Sequence, residues 1–407
     1  MGIMKFFILF FLLFCSAFGF SQDVPNAYPY AIFQNNYSIE KNENGQFGVK
    51  NKKGETIVPF IYNRIVNHPT GLVVFKLNKS DGYERTYSCG FYTKGMNFVL
   101  PCNYSSLVPL ADGTLIACHK SLNLFGLTDT IGRIIIPFKY AELCPPTDKL
   151  FCAKYDNKYG YIDQHDQTII PFIFHFAKPF SEGLAIATTK KLVGFINKKG
   201  QFEIEEKFSG ANDFSMGYAE VFINDEASII DTKGEILFPF LFHSIRPIPN
   251  SYFIFEAPES YRNKLSQLLV ETPIETNLDQ RLPLLDSLKE TDEFGGFYSN
   301  ENSVAFQGVL TKNKLLIGGE SLRKVDYLTT VNSLNYYSVQ NMNQINASEN
   351  WNFALMNNNG KLMSDFVFLS LSFDQKNNRI IGEIDAEKGV TLVEVMTNGK
   401  YRLLEVN

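Results

Sequence analysis

Apolar and polar positions alternate along this chain in short bursts, and the bursts recur. Take Gly48, Gly90, Gly126, Gly160, Gly194 and Ser228 as landmarks; their spacings are 42, 36, 34, 34 and 34 residues. Eleven residues after each stand Pro59, Pro101, Pro137, Pro171, Glu205 and Pro239, and fourteen after each stand the aromatics Tyr62, Tyr104, Tyr140, Phe174, Phe208 and Phe242. Twenty-three residues after each come Gly71, Gly113, Lys149, Gly183, Gly217 and Ser251, leading into apolar runs such as Leu72-Val73-Val74-Phe75 and Leu184-Ala185-Ile186-Ala187. Three independent offsets sharing one period of about 34 residues define a tandem repeat, whose units are each too small to bury an apolar face alone.

The chemistry of the unit lies in its turn. Three residues past the landmark lie Asn51, Asp129, Asp163, Asn197 and Asp231, and six past it lie Gly54, Gly132, Gly200 and Gly234. An Asx side chain caps a tight turn through the backbone, and glycine accepts the left-handed conformation that closes it. Phe47-Gly48-Val49-Lys50 with Glu55-Thr56-Ile57-Val58, and Tyr159-Gly160-Tyr161-Ile162 with Thr168-Ile169-Ile170, therefore read as paired strands. Proline is expected to end the second strand because it has no N–H for a ladder. Glycine at the landmark implies close approach of a backbone or an aromatic ring, with the fourteenth-position aromatic as the expected partner.

A seventh copy is read at Phe353-Ala354-Leu355-Met356, with Asn357, Gly360 and Phe368 at the expected offsets and Asp365 in place of proline. Gln307-Gly308-Val309-Leu310 opens a further, degenerate copy with Leu322 at its aromatic position. Ahead of the first copy, Tyr30-Ala31-Ile32-Phe33 and Tyr37-Ser38-Ile39 read as strands that close or cap the array. The tail from Arg379 to Val406 is strand-rich, with turns at 386–389 and 397–400. Residues 257–300 break the period. Pro258 suits the first turn of a helix, Tyr261, Leu265, Leu268 and Leu269 recur at helical spacing, and Leu278, Leu282, Leu285 and Leu288 form a second apolar set interrupted by Pro283.

Aromatic-Gly-hydrophobic-Ile-Asp, then Ile-Ile-Pro, then Phe-Ser-Glu-Gly-Leu-Ala is spelled out by Tyr159-Gly160-Tyr161-Ile162-Asp163, Ile169-Ile170-Pro171 and Phe180-Ser181-Glu182-Gly183-Leu184-Ala185. This resembles the WG repeat family of bacterial proteins, from about Phe47 to Phe255 and again from Phe353. The naming Trp-Gly pair is missing: Phe47, Cys89, Phe125, Tyr159, Val193 and Ala227 stand where tryptophan would, so the resemblance is to a divergent member. It implies a β-rich repeat domain with a binding role and transfers no catalytic residue. The expected fold is all-β, a tandem array of antiparallel hairpin repeats, either propeller-like or an open curved array, with a short helical insertion. The expected organisation is a signal peptide at 1–21, about six repeats over 28–256, a helical insertion or linker at 257–300, and degenerate β-repeats over 301–407.

Lys5, the apolar run from Phe6 to Phe14 and the small residues Ser16, Ala17, Gly19 and Ser21 read as a secretory signal. Cleavage after Gly19 or after Ser21 fits equally. Cys15 raises acylation as an alternative, which Phe14 before it disfavours. The expected location is periplasmic or extracellular, with no later stretch of membrane-spanning length. A net charge of −5 with interspersed Lys, Asp and Glu disfavours nucleic acid as a partner.

Five cysteines follow the signal: Cys89, Cys102, Cys118, Cys144 and Cys152. Export permits disulfides and Cys144 with Cys152 is the first pair to test, but Cys152 stands where other copies carry Val or Ile, so the small-hydrophobe reading is preferred. Asp129, Asp163 and Asp231 form the repeated acidic set. Their turn position, shared with Asn in other copies, accounts for them without catalysis. Lysines in Asn51-Lys52-Lys53-Gly54 and Asn197-Lys198-Lys199-Gly200 count against calcium, and His68, His119, His165, His175 and His243 lack metal-ligand spacing. Asp129-Thr130-Ile131 and Asp286-Ser287-Leu288 resemble a bacterial O-glycosylation pattern. The sequence thus points to a non-catalytic envelope protein without cofactor or metal that binds a protein or glycan, its ligand-binding residues unspecified. The alternative is a glycan-directed hydrolase with its site between the insertion and the array.

Overall fold

A computed structural model of the chain describes residues 37–78, 86–258 and, with short gaps, 305–404. Among these residues there is no helix; every regular element is a β-strand in an antiparallel sheet. The predicted signal, Tyr30-Ala31-Ile32-Phe33, the two expected helical segments and Asp286-Ser287-Leu288 lie outside the described residues. The chain divides into two compact units, one of residues 1–145 with 164–166 and the other of the remainder.

One register rule runs through both. The apolar third strand of each copy pairs with the first strand of the next so that the landmark always meets the same position: Val74 opposite Gly90, Ala117 opposite Gly126, Ala153 opposite Gly160, Ala187 opposite Gly194 and Val221 opposite Ser228. The same pairing continues with Phe255 opposite Gly308 and Val339 opposite Ala354. Strand Tyr37–Lys41 supplies the same partner to the first copy, with Glu40 opposite Gly48. In the strand-rich tail, Arg379–Ala386, Gly389–Val395 and Tyr401–Leu403 form one further hairpin series.

The second strand departs from expectation in an informative way. Strands Thr56–Tyr62, Ile134–Tyr140 and Thr168–Phe174 run straight through Pro59, Pro137 and Pro171 instead of ending there. Tyr161 pairs with Ile170 and Tyr159 with Phe174, so four residues on one strand match two on the other, and proline occupies the resulting bulge. Each of these strands is the last of its sheet. A proline in a bulge on an edge strand removes a donor that a stray strand would otherwise engage, and Glu205 does the same service with charge.

The fourteenth-position aromatic is not the landmark's partner. It pairs one residue earlier, as Phe47 with Tyr62, Phe125 with Tyr140 and Val193 with Phe208. What crowds the glycine is the carbonyl ten residues on and the side chain twelve residues on. A Cβ placed on Gly48 would stand 2.8 Å from the Val58 oxygen and 2.7 Å from the Phe60 ring, and one on Gly160 would stand 2.8 Å from the Ile170 oxygen and 2.9 Å from Phe172. The landmark is glycine because a backbone and a ring close over it.

Glycine at the turn has a second reason besides its φ of about +80°. A Cβ on Gly200 would lie 2.6 Å from Ile170 of the preceding copy, and one on Gly234 would lie 3.0 Å from Ile204. Gly54, in the first copy, meets nothing within 4 Å. At the same position the fourth copy has Asp166, and its carboxylate takes the Tyr140 hydroxyl and pairs with Lys139 at 2.6 Å. The turn is thus a coupling point between copies, through packing or through charge.

The core is built from the inward positions of successive sheets. In the second unit Ile186, Phe195, Ile204, Phe208, Phe214, Val221 and Ile230 form one buried cluster drawn from neighbouring copies. Rings one and twenty residues past the landmark meet, Tyr161 with Phe180 and Phe195 with Phe214, each at 4.8 Å between centroids.

Candidate functional site

Each sheet has two unlike ends. At one end the Asx turns are built to a single plan. Asn51 Oδ1 accepts the amides of Lys53 and Glu55, Asp129 those of Ile131 and Arg133, Asn197 those of Lys199 and Gln201, and Asp231 those of Lys233 and Glu235. Asp163 accepts the Gln167 amide in the same manner. Asp and Asn are interchangeable here because one oxygen accepting two backbone N–H groups is all the turn requires.

The same end carries the two-residue turns before the third strands. Asp148-Lys149, Glu182-Gly183, Met216-Gly217 and Asn250-Ser251 all have positive φ at both residues. Glu182 links one of these turns to the next, accepting the amides of Met216 at 2.7 Å and Gly217 at 2.8 Å, while Ser181 Oγ donates to the Phe214 carbonyl. Replacing Glu182 with alanine is expected to cost about 1 kcal/mol, since charge-assisted bonds at an exposed site are worth little more. Urea denaturation of the variant beside Glu182→Gln, which keeps one acceptor oxygen, measures it.

The opposite end, where a third strand passes to the next first strand, follows no plan. Asp156-Asn157 and Asn224-Asp225 are two-residue left-handed turns. The stretch between Thr188 and Val193 is braced by Glu206, whose carboxylate accepts the Thr189 amide at 2.6 Å and the Thr189 hydroxyl at 2.7 Å. Strands Tyr252–Pro258 and Ala305–Thr311 pair directly, with Pro258 opposite Ala305. Residues 259–304 therefore connect two adjacent strands at this end, and Pro258 closes a strand where the sequence suggested the first turn of a helix. Tyr155, Ile173 and Leu192 are large apolar residues exposed near these connections.

Among the described residues no three of His, Cys, Asp and Glu converge as metal ligands. His68 bonds Thr70, and burial lowers its pKa. His119 packs against Tyr104 and Phe138 at 5.9 and 5.6 Å, and its Nδ1 meets Ser121. His165 contacts Gln164. His175 and His243 are exposed and donate backbone amides to Thr188 and Glu256, matching their shared repeat position. The five cysteines are carried as thiols; Cys89, Cys118 and Cys152 are buried, and burial pushes the Cys89 thiol up to about 12.

Sequence reasoning missed Glu220. Just before the residue that faces the next landmark, other copies place Val73, Ile116, Cys152, Ile186 and Ile254, all buried. Glu220 takes that place, buried, accepting the Ile245 amide at 2.7 Å and the Asn212 side-chain amide at 2.6 Å. Aligning this one column of the repeat would have exposed the anomaly.

Five stretches, residues 47–79, 125–159, 159–191, 194–226 and 228–256, match the family described as WG containing repeat. The chain is a WG repeat protein. The copy headed by Gly90 lies outside these stretches and obeys the same register. Comparison with curated proteins finds no match. Among solved structures, virginiamycin B lyase from Staphylococcus aureus is similar at 14% identity, over 47% of this chain and 75% of that one, with a TM-score of 0.26. The β-propeller domain of the Trilobed protease from Pyrococcus furiosus is similar at 6% identity over 85% and 95%, with a TM-score of 0.25. A protein of unknown function from Bacteroides caccae follows at 12% identity over 72% and 92%, with a TM-score of 0.19. At such scores these likenesses carry no argument.

Proposed function

We propose that this WG repeat protein is an exported, non-catalytic binding protein of the cell envelope, which recognises a protein or glycan through the connections between copies. The observation behind this reading is the contrast between the two sheet ends. Turns at one end repeat a single hydrogen-bonding plan, whereas connections at the other range from two residues to the whole of 259–304. Scaffolds that hold a fixed framework and vary loops at one end use those loops for recognition. The repeated carboxylates Asp129, Asp163 and Asp231 are occupied in turns, which supports binding over the glycan-hydrolase alternative.

The direct pairing of Pro258 with Ala305 makes a clean test possible. Residues 260–303 are replaced by Asn-Gly, a pair suited to a tight hairpin turn. The full chain and this variant are each immobilised and exposed to envelope extract and to purified envelope polysaccharides. Retention of a defined component by the full chain alone is expected. An identical retained set from both proteins would sink the assignment of recognition to this connection.

A further inference from the structure

We propose that Thr130 is an O-glycosylation acceptor. It stands in the Asx turn of the third copy, between Asp129 and Ile131. Its methyl carbon is turned towards Gly113, where a built Cβ would lie 3.3 Å away, and among the described residues its hydroxyl makes no hydrogen bond. The turn around it is rigid, since Asp129 Oδ1 accepts the amides of Ile131 and Arg133 while Oδ2 binds Arg133 Nε at 2.7 Å.

The independent observation is Ile131. At its position in the turn other copies carry Lys53, His165, Lys199 and Lys233, the solvated residues such a tip demands. Ile131 is instead 65% exposed, and Ile134 beside it is 60% exposed. Among the described residues both side chains are left mostly uncovered, so the apolar pair contributes little to the core. A half-buried threonine with an unengaged hydroxyl, held in a fixed turn and flanked by a carboxylate on one side and an exposed apolar residue on the other, is a surface an external enzyme can read. Asp231-Thr232-Lys233 offers the contrast within the same molecule: the same acid and threonine in the same turn, the threonine here more exposed than Thr130, with lysine in the third place.

The chemistry is a glycosyl transfer without redox change. Thr130 Oγ1 bonds to the anomeric carbon of a sugar activated as a diphosphate, the bond from that carbon to the diphosphate oxygen breaks with its electrons leaving on the diphosphate, and the hydroxyl proton passes to a base of the transferase.

The test is peptide mass mapping of the full protein recovered from the envelope of its source bacterium. A glycan mass on the Thr130 peptide and none on the Thr232 peptide is expected; a Thr130 peptide recovered only in bare form overturns the proposal. Three variants sharpen it. Asp129→Asn keeps the turn, because Asn51 and Asn197 make the same two amide bonds. It should lose the glycan with at most a small fall in denaturation midpoint, since the ion pair to Arg133 that it removes is largely exposed. Ile131→Lys should lose it as well, and Thr130→Ser should retain it. Persistence of the glycan on Asp129→Asn would overturn the assignment as surely as a bare wild-type peptide.

Discussion

Alanine in place of Gly194 is expected to destabilise the fold by about 3 kcal/mol, at the upper end of what one inserted methyl usually costs. The added Cβ would stand 2.4 Å from the Ile204 carbonyl oxygen and 2.8 Å from the Glu205 carbonyl carbon. Both are backbone atoms of the neighbouring strand, so no side-chain rotation relieves the clash and the strands must part. Gly183→Ala is the comparator. That site has a φ of +84° but nothing within 4 Å of a Cβ, so it should lose only about 1 kcal/mol, for the left-handed conformation alone. Urea midpoints for the two variants against wild type give the ordering, and equal losses would mean that backbone closeness is not what the landmark enforces.

The molecule has already performed a version of this substitution. Ser228 holds the landmark of the sixth copy, and its second strand is reduced to the isolated bridges of Ala227 with Phe242 and Ile230 with Ile236. The serine hydroxyl donates to the Phe238 carbonyl, the same tenth-position oxygen that crowds the glycines elsewhere. In this copy a side chain at the landmark goes with a second strand that has given way.

This comparison shows what the sequence does and does not make legible. Strand positions and turns follow from period and composition, because each copy restates the same local physics and errors average out over copies. The bulge was not legible, since Pro59 and Pro171 break a ladder locally whether a strand ends or merely kinks. Gly200, Gly234 and Asp166 look like turn residues alone until the preceding copy is in place. Glu220 was missed for a related reason: within its own run, Tyr218-Ala219-Glu220-Val221, it looks like an ordinary outward residue, and only its neighbour copy makes it inward. The binding surface is least legible, because connections that break the repeat are where its restating logic stops.

Glu220→Ala is expected to cost about 3 kcal/mol, combining a small cavity with the loss of the acceptor for the Ile245 and Asn212 donors. A further consequence is a distinctive pH dependence. Burial is the largest influence on this carboxyl and raises its pKa above 4.5, against the opposing pull of the two hydrogen bonds and the charge of Arg246. The folded protein therefore holds a proton that the unfolded chain has released, and stability falls as pH rises from 4.5 through the folded pKa. Below 4.5 the group is neutral in both states and no penalty applies. Glu220→Gln removes the titration while keeping the shape, so its stability relative to wild type should improve steadily across that interval and level off above it. Urea titrations of both proteins at closely spaced pH values measure the difference; parallel curves would mean that the carboxyl is ionised at no cost and that the joint between the fifth and sixth copies has no proton to exchange.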